Sequence, residues 1–147
     1  YDLLEQDIDT LLNSQREVKE ILSECIIAIG RYIGELLKSV GGRTCFELIV
    51  YYAYDLEKRA AVFPKLKFKQ SLEYAQNKIV EYTMANVEKG VFHPQIPVRS
   101  LIMFVSSFID GIAQSTATGV MGGDDISEEI KVMFQILAKA VLGYLEA

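Results

Sequence analysis

From residue 15 to residue 40, apolar side chains fall at Val18, Ile21, Leu22, Cys25, Ile26, Ile29, Tyr32, Ile33, Leu36, Leu37 and Val40. Steps of three and four keep the 3.6-residue period of an α-helix, and a strand cannot use them. A helix with so long a stripe must bury it against other elements. The same period recurs along the rest of the chain, so the fold class is all-α.

Upstream, Leu4, Ile8, Leu11 and Leu12 mark a helix over 2–13. Asn13-Ser14 breaks it, and Ser14 with Glu17 has the spacing of a capping box for the helix over 15–40. Gly30 and Gly34 share one face of that helix and admit a close neighbour. Gly41-Gly42 is expected to stop it. Thr44 and Glu47 form a second box, opening a helix over 45–61. "FELIVYYAY" has the composition of a buried strand, but its length and charged continuation favour helix. Pro64 ends it. A helix over 69–89 follows, closed by Lys89 and Gly90 as its last-turn cation and C′ residue. "VFHPQIP" is a loop, and Pro97 suits the first turn of a helix over 98–118. "GVMGGDD" is a loop, with Asp125 or Ser127 opening the last helix. The reading is a bundle of about six helices in one domain, residues 1–147, with no repeat.

Several function classes lack their residues. Net charge is −5 with no dense basic block, a poor match to nucleic acid. Lys65, Lys67 and Lys69 form the one local basic cluster and read as a solvated loop. His93 is the single histidine, sits in a loop beside a proline, and has no nucleophile motif with it, so no catalytic residue is assigned. Zinc has too few ligands, and phosphate-loop, dinucleotide, calcium and di-iron patterns are missing; no metal or cofactor is expected. The paired acids of "ISEEI" serve a helix start. Cys25 and Cys45 form no framework, and two reduced thiols suit a cytoplasmic protein. The acidic opening "YDLLEQDIDTLL" is unlike a signal peptide. The apolar region 101–121 carries Asp110 and polar residues, so no membrane partner is expected.

The last two helices have more apolar surface than one neighbour can cover. Residues 98–113 carry one stripe of Leu101, Val105, Phe108 and Ile112 and a second of Ile102, Ile109 and Ala113, with Met103 and Phe104 besides. The final helix carries Ile130, Phe134, Leu137, Val141 and Leu145, widened by Val132, Met133, Ile136 and Ala140. A helix apolar nearly all round is buried nearly all round. The economical cover is a second copy across a two-fold axis, with Ile109, Ala113, Phe134, Leu137 and Val141 as interface candidates. The alternative is a central helix pair buried in a monomer. Aromatic residues are also in surplus. Tyr51, Tyr54, Tyr82, Phe104 and Phe108 are candidates to line a pocket for a small apolar or aromatic molecule, with Tyr82 its polar handle; plain core packing is the alternative for each.

"YTMANVEKGVFHPQIPVRSLIMFVSSFIDGIAQS", residues 82–115, resembles the C-terminal half of TetR-type (tetracycline-repressor-like) transcriptional regulators. The likeness lies in a helix ending in Gly90-Val91-Phe92, a short loop, and a helix with Asp110-Gly111 near its middle. "FELIVYYAYDLEKR" is similar to the family's preceding helix. The resemblance implies a ligand-binding and dimerisation domain in which the last two helices of each protomer form a four-helix bundle. It further implies that a small ligand among the middle helices changes the separation of two DNA-reading heads, usually in a repressor. The family's N-terminal helix-turn-helix has no counterpart here, so DNA is expected as a partner only through a head this chain lacks. A stand-alone helical carrier of apolar molecules is the other reading. Asp110-Gly111 is also a hairpin signal, but its flanks keep a helical period, so it is expected inside a helix.

Overall fold

The computed structural model describes residues 3–117 and 126–146, and among these no strand occurs. The chain is an all-α bundle: α1 (Leu3–Leu12), α2 (Val18–Leu36), α3 (Val40–Tyr52), α4 (Leu56–Val62), α5 (Lys67–Glu88), α6 (Val98–Ala117) and α7 (Ile126–Leu145), with a 3-10 turn at Phe63–Lys65. Helices α2 and α7 lie along one another as the central pair; α1 covers α2 and α5, and α6 packs on α3. No described helix is long and apolar enough to cross a membrane.

The central pair meets at glycine. A methyl at Gly30 would lie 2.5 Å from Phe134 Cβ, and one at Gly34 would lie 3.0 Å from the Ser127 carbonyl and hydroxyl oxygens. The shared face of the two glycines is therefore the contact with α7. Side-chain bonds fix the flanks. Tyr74 donates to Asp9 Oδ1 at 2.7 Å, tying α5 to α1, and Lys131 donates to Glu35 Oε1 at 3.1 Å, tying α7 to α2.

Helix boundaries depart from the sequence reading at four places. Ser14 does not cap α2: its hydroxyl donates to the Leu11 carbonyl, satisfying the end of α1, and Glu17 holds the N-cap position without a side-chain bond. Gly41-Gly42 does not stop α2, which ends five residues earlier at Leu36. Ser39 instead caps α3, accepting from the Gly42 amide at 2.9 Å, and both glycines fall in the first turn of α3. Gly42 is there because the corner is tight: a methyl on it would sit 1.9 Å from the Leu36 carbonyl oxygen. Thr44 donates to the Val40 carbonyl inside α3 and caps nothing. The helix expected over 45–61 is two helices. Asp55 accepts from the Lys58 amide at 3.1 Å to open α4, and Arg59 donates to the Ala53 carbonyl that α3 leaves bare.

The later boundaries follow the sequence closely. Lys67 and Lys69 lie in the first turn of α5, not in a loop. Gly90 has φ +77°, and the amides of Gly90 and Val91 return to the carbonyls of Val87 and Asn86, a Schellman close to α5. The loop after it docks on the end of α7: the amides of His93 and Gln95 donate to the carbonyls of Leu145 and Tyr144. Two of the α7 carbonyls that lack a helical partner are satisfied in this way. Asp125 and the loop over 119–125 lie outside the described residues; Ser127 is buried within α7 and is not its cap. α6 runs unbroken through Asp110-Gly111, so that pair is helix interior.

Candidate functional site

Four helices leave a narrow cleft between them. α2 supplies Leu22, Ile26 and Ile29, α5 supplies Ile79, Val80 and Thr83, and α7 supplies Phe134, Leu137 and Val141. α6 closes it with Leu101, Val105 and Ile109 among others. These residues converge because each sits on the apolar stripe of its own helix, and four stripes face one axis. The walls are aliphatic except for the Phe134 ring, with Gln76, Thr83 and Ser106 the polar exceptions. The Thr83 hydroxyl already donates to the Ile79 carbonyl at 2.8 Å, so toward a guest it is an acceptor.

The free volume is about 60 Å³. One water needs about 10–15 Å³ on that scale, while drug-sized pockets run to about 300–1,000 Å³. The cleft is a slot that a thin guest must widen. Past Gln76, Ser106 and Ile109, which also line the next space, it adjoins a groove of about 230 Å³ carrying Lys69, Glu73 and Asp110. That groove adjoins an outer hollow of about 320 Å³, reaching Arg59 and Phe63 and sharing Lys69 and Asp110.

The five aromatic candidates are not brought together at the cleft. Tyr51 is 75% exposed and Tyr54 86% exposed. The break after Tyr52 leaves both at the outer end of α3, with Tyr51 edge-on to Tyr52. Phe104 is 50% exposed because its position turns outward on α6. Tyr82 is half-buried; burial, with Cys25 nearby, raises its hydroxyl above the ordinary tyrosine value. Phe108 packs edge-on against Phe134, ring centres 5.3 Å apart, and supports the cleft from behind.

The five dimer candidates are all buried inside the single protomer. Ile109, Phe134, Leu137 and Val141 are cleft wall, and Ala113 lines the adjoining groove. The stripe taken from the sequence as the interface is the one that α2 and the cleft consume. The outward stripe is different: Met103 and Phe104 on α6, and Val132, Ile136 and Tyr144 on α7, are exposed. Gly111 lies with Phe104 and Ser107 on one α6 face, and Gly143 lies with Val132 and Ile136 on one α7 face. Both glycines are exposed and no atom stands within 4 Å of an added methyl. Within the protomer, then, no neighbouring helix packs against Gly111. The signal for the outward stripe was in the sequence as the residues that widen the last helix.

Among the described residues no group of three or more His, Cys, Asp or Glu gathers in metal-binding range. Cys25 is buried and its thiol is pushed up to about 12, mainly by burial. No known family model, curated protein or solved structure matches the chain.

Proposed function

We propose that the chain is the effector-sensing and dimerisation domain of a TetR-like transcriptional regulator, read as a repressor. The observation that carries this reading is the pairing of two features on the same helices. α6 and α7 wall an apolar cleft on their inner sides, and carry an uncovered apolar stripe with Gly111 and Gly143 on their outer sides. A sensor that works through a dimer needs both: a guest in the cleft moves α6, and α6 passes the movement to the second copy. A guest shifts such an equilibrium only as far as it prefers one arrangement over the other, and a slot of about 60 Å³ must open to admit one. The interface moves, in this reading, to Phe104, Val132, Ile136 and their neighbours.

DNA contact in the parent protein is assigned to a helix-turn-helix outside this chain. We read the domain as non-catalytic and cytoplasmic, with both cysteines free. The test is the mass in solution, by light scattering at tens of micromolar. A dimer is expected, and a monomer at that concentration overturns the reading. A stand-alone carrier of apolar molecules remains the second reading, favoured by the aliphatic walls of the cleft. The full reading frame separates the two, since an upstream helix-turn-helix decides for the regulator.

A further inference from the structure

We infer that the guest is an amphipathic anion: one aliphatic chain ending in a carboxylate, with the chain in the slot and the carboxylate at Arg59 and Lys69. This names the ligand class of the cleft and rests on the sensor reading only for its consequence, not for its binding. The slot decides the tail. Its walls are Leu, Ile and Val with one ring, and its free volume is small, so a straight alkyl chain enters with the least displacement of packed side chains. A flat aromatic guest finds one ring there, Phe134, which is already edge-on to Phe108, because Tyr51, Tyr54 and Phe104 are turned outward.

The adjoining groove decides the head. The slot and the groove share Gln76, Ser106 and Ile109 in their linings, so a chain anchored in the slot that displaces those side chains comes out between α3, α5 and α6 at Lys69 and Asp110, then at Arg59. The outer hollow holds two cations, Arg59 and Lys69, against one carboxylate, Asp110; Glu73 lies further in. The balance at the outer end is positive and selects an anionic head. Neither cation has an acidic partner among the described residues. Arg59 gives one N–H to the Ala53 carbonyl at 3.1 Å, which holds the guanidinium in place and leaves its other donors for a guest. The Lys69 ammonium lies 5.7 Å over the Phe63 ring, an orientation that spends none of its N–H donors on another side chain.

The experiment is calorimetric titration of the intact chain with decanoate, decanol and decylamine. Decanoate is expected to bind about tenfold or more tightly than decanol, the difference made by one hydrogen bond to a charged group, and decylamine least. The Arg59→Gln, Lys69→Gln double variant should lose that advantage while its affinity for decanol is unchanged; Arg59 is exposed and Lys69 half-buried, and an unchanged thermal melt of the variant shows that folding is retained. Val105→Phe, which fills the slot, should weaken decanoate and decanol alike. Decylamine binding more tightly than decanoate, or no binding of either decanoate or decanol, overturns the inference. Failure of the regulator reading looks different: decanoate binds as described, but the chain is a monomer with and without it.

Discussion

At the scale of single residues, glycines separate packing inside the protomer from packing outside it. Gly30→Ala forces a methyl to 2.5 Å from Phe134 Cβ, and both atoms are anchored to helix backbones. Overpacking of this kind costs about 1–3 kcal/mol, so a urea titration should show that loss. Gly111→Ala meets no atom within 4 Å and gains helix propensity of up to about 1 kcal/mol. Dilute protein should therefore become more stable, while a dimer built on that face should dissociate more readily. Equal behaviour of the two variants contradicts the packing described. The tightness at Gly30 was legible, since two glycines four apart on an apolar stripe demand a close neighbour. Gly42 was not, because a glycine pair that ends a helix and one that turns a corner look alike. Cys25 carries another prediction. Its thiol, held at about 12 against an ordinary value of about 8.5, stays protonated at neutral pH, and thiolate is the nucleophile. Cys45, half-buried, should be alkylated first, as mass spectrometry of the native protein would record. The stability this neutral thiol contributes is complete below pH about 8.5 and falls as pH rises toward its folded value.

At the scale of elements, apolar period found the helices and misplaced their ends. The period is set by burial, which the stripe records directly. Ends are set by which hydroxyl or carboxylate reaches which bare amide: Ser39 and Asp55 do so, while Ser14 and Thr44 donate to carbonyls instead. Ser39→Ala should cost about 1 kcal/mol, the value of a lost N-cap, whereas Thr44→Ala should stay within about 0.5 kcal/mol. The reverse order, by thermal melts of both variants, would restore the boundary read from sequence. The α2–α7 pairing has a pH signature. Hydrogen bonds from Lys131 and Lys38 hold the Glu35 carboxyl below its ordinary value. A depressed carboxyl supports the fold above the unfolded value of about 4.3 and loses that support as pH falls through its folded value. Glu35→Gln should thus flatten the acid limb of the stability profile. An unchanged limb would mean that the exposed cluster is screened into irrelevance.

At the scale of the whole molecule, the all-α bundle and the apolar excess of α6 and α7 were legible, but which side of each helix faced inward was not. A helix with apolar residues over most of its circumference gives no phase, and phase is what divides cleft from outer face. The structure divides them between neighbours: Leu137 is 2% exposed and Ile136 is 63% exposed. With Leu137 in the interface, as the sequence reading has it, Leu137→Glu would split a dimer. In the structure Leu137 is cleft wall, so that variant buries an unpaired charge, costs several kcal/mol and unfolds the protomer. Ile136→Glu is the informative change. Its side chain stands in water in the protomer, so the dilute chain should melt within about 0.5 kcal/mol of the parent. In a two-fold dimer through the outer faces of α6 and α7, the same carboxylate meets apolar surface on the partner and its own symmetry mate nearby. Sedimentation at tens of micromolar should then show monomer for Ile136→Glu and dimer for the parent, while both retain the cleft and its guest. A dimer that survives Ile136→Glu and Phe104→Glu together places the interface elsewhere, and removes the link by which movement of α6 would reach a second copy.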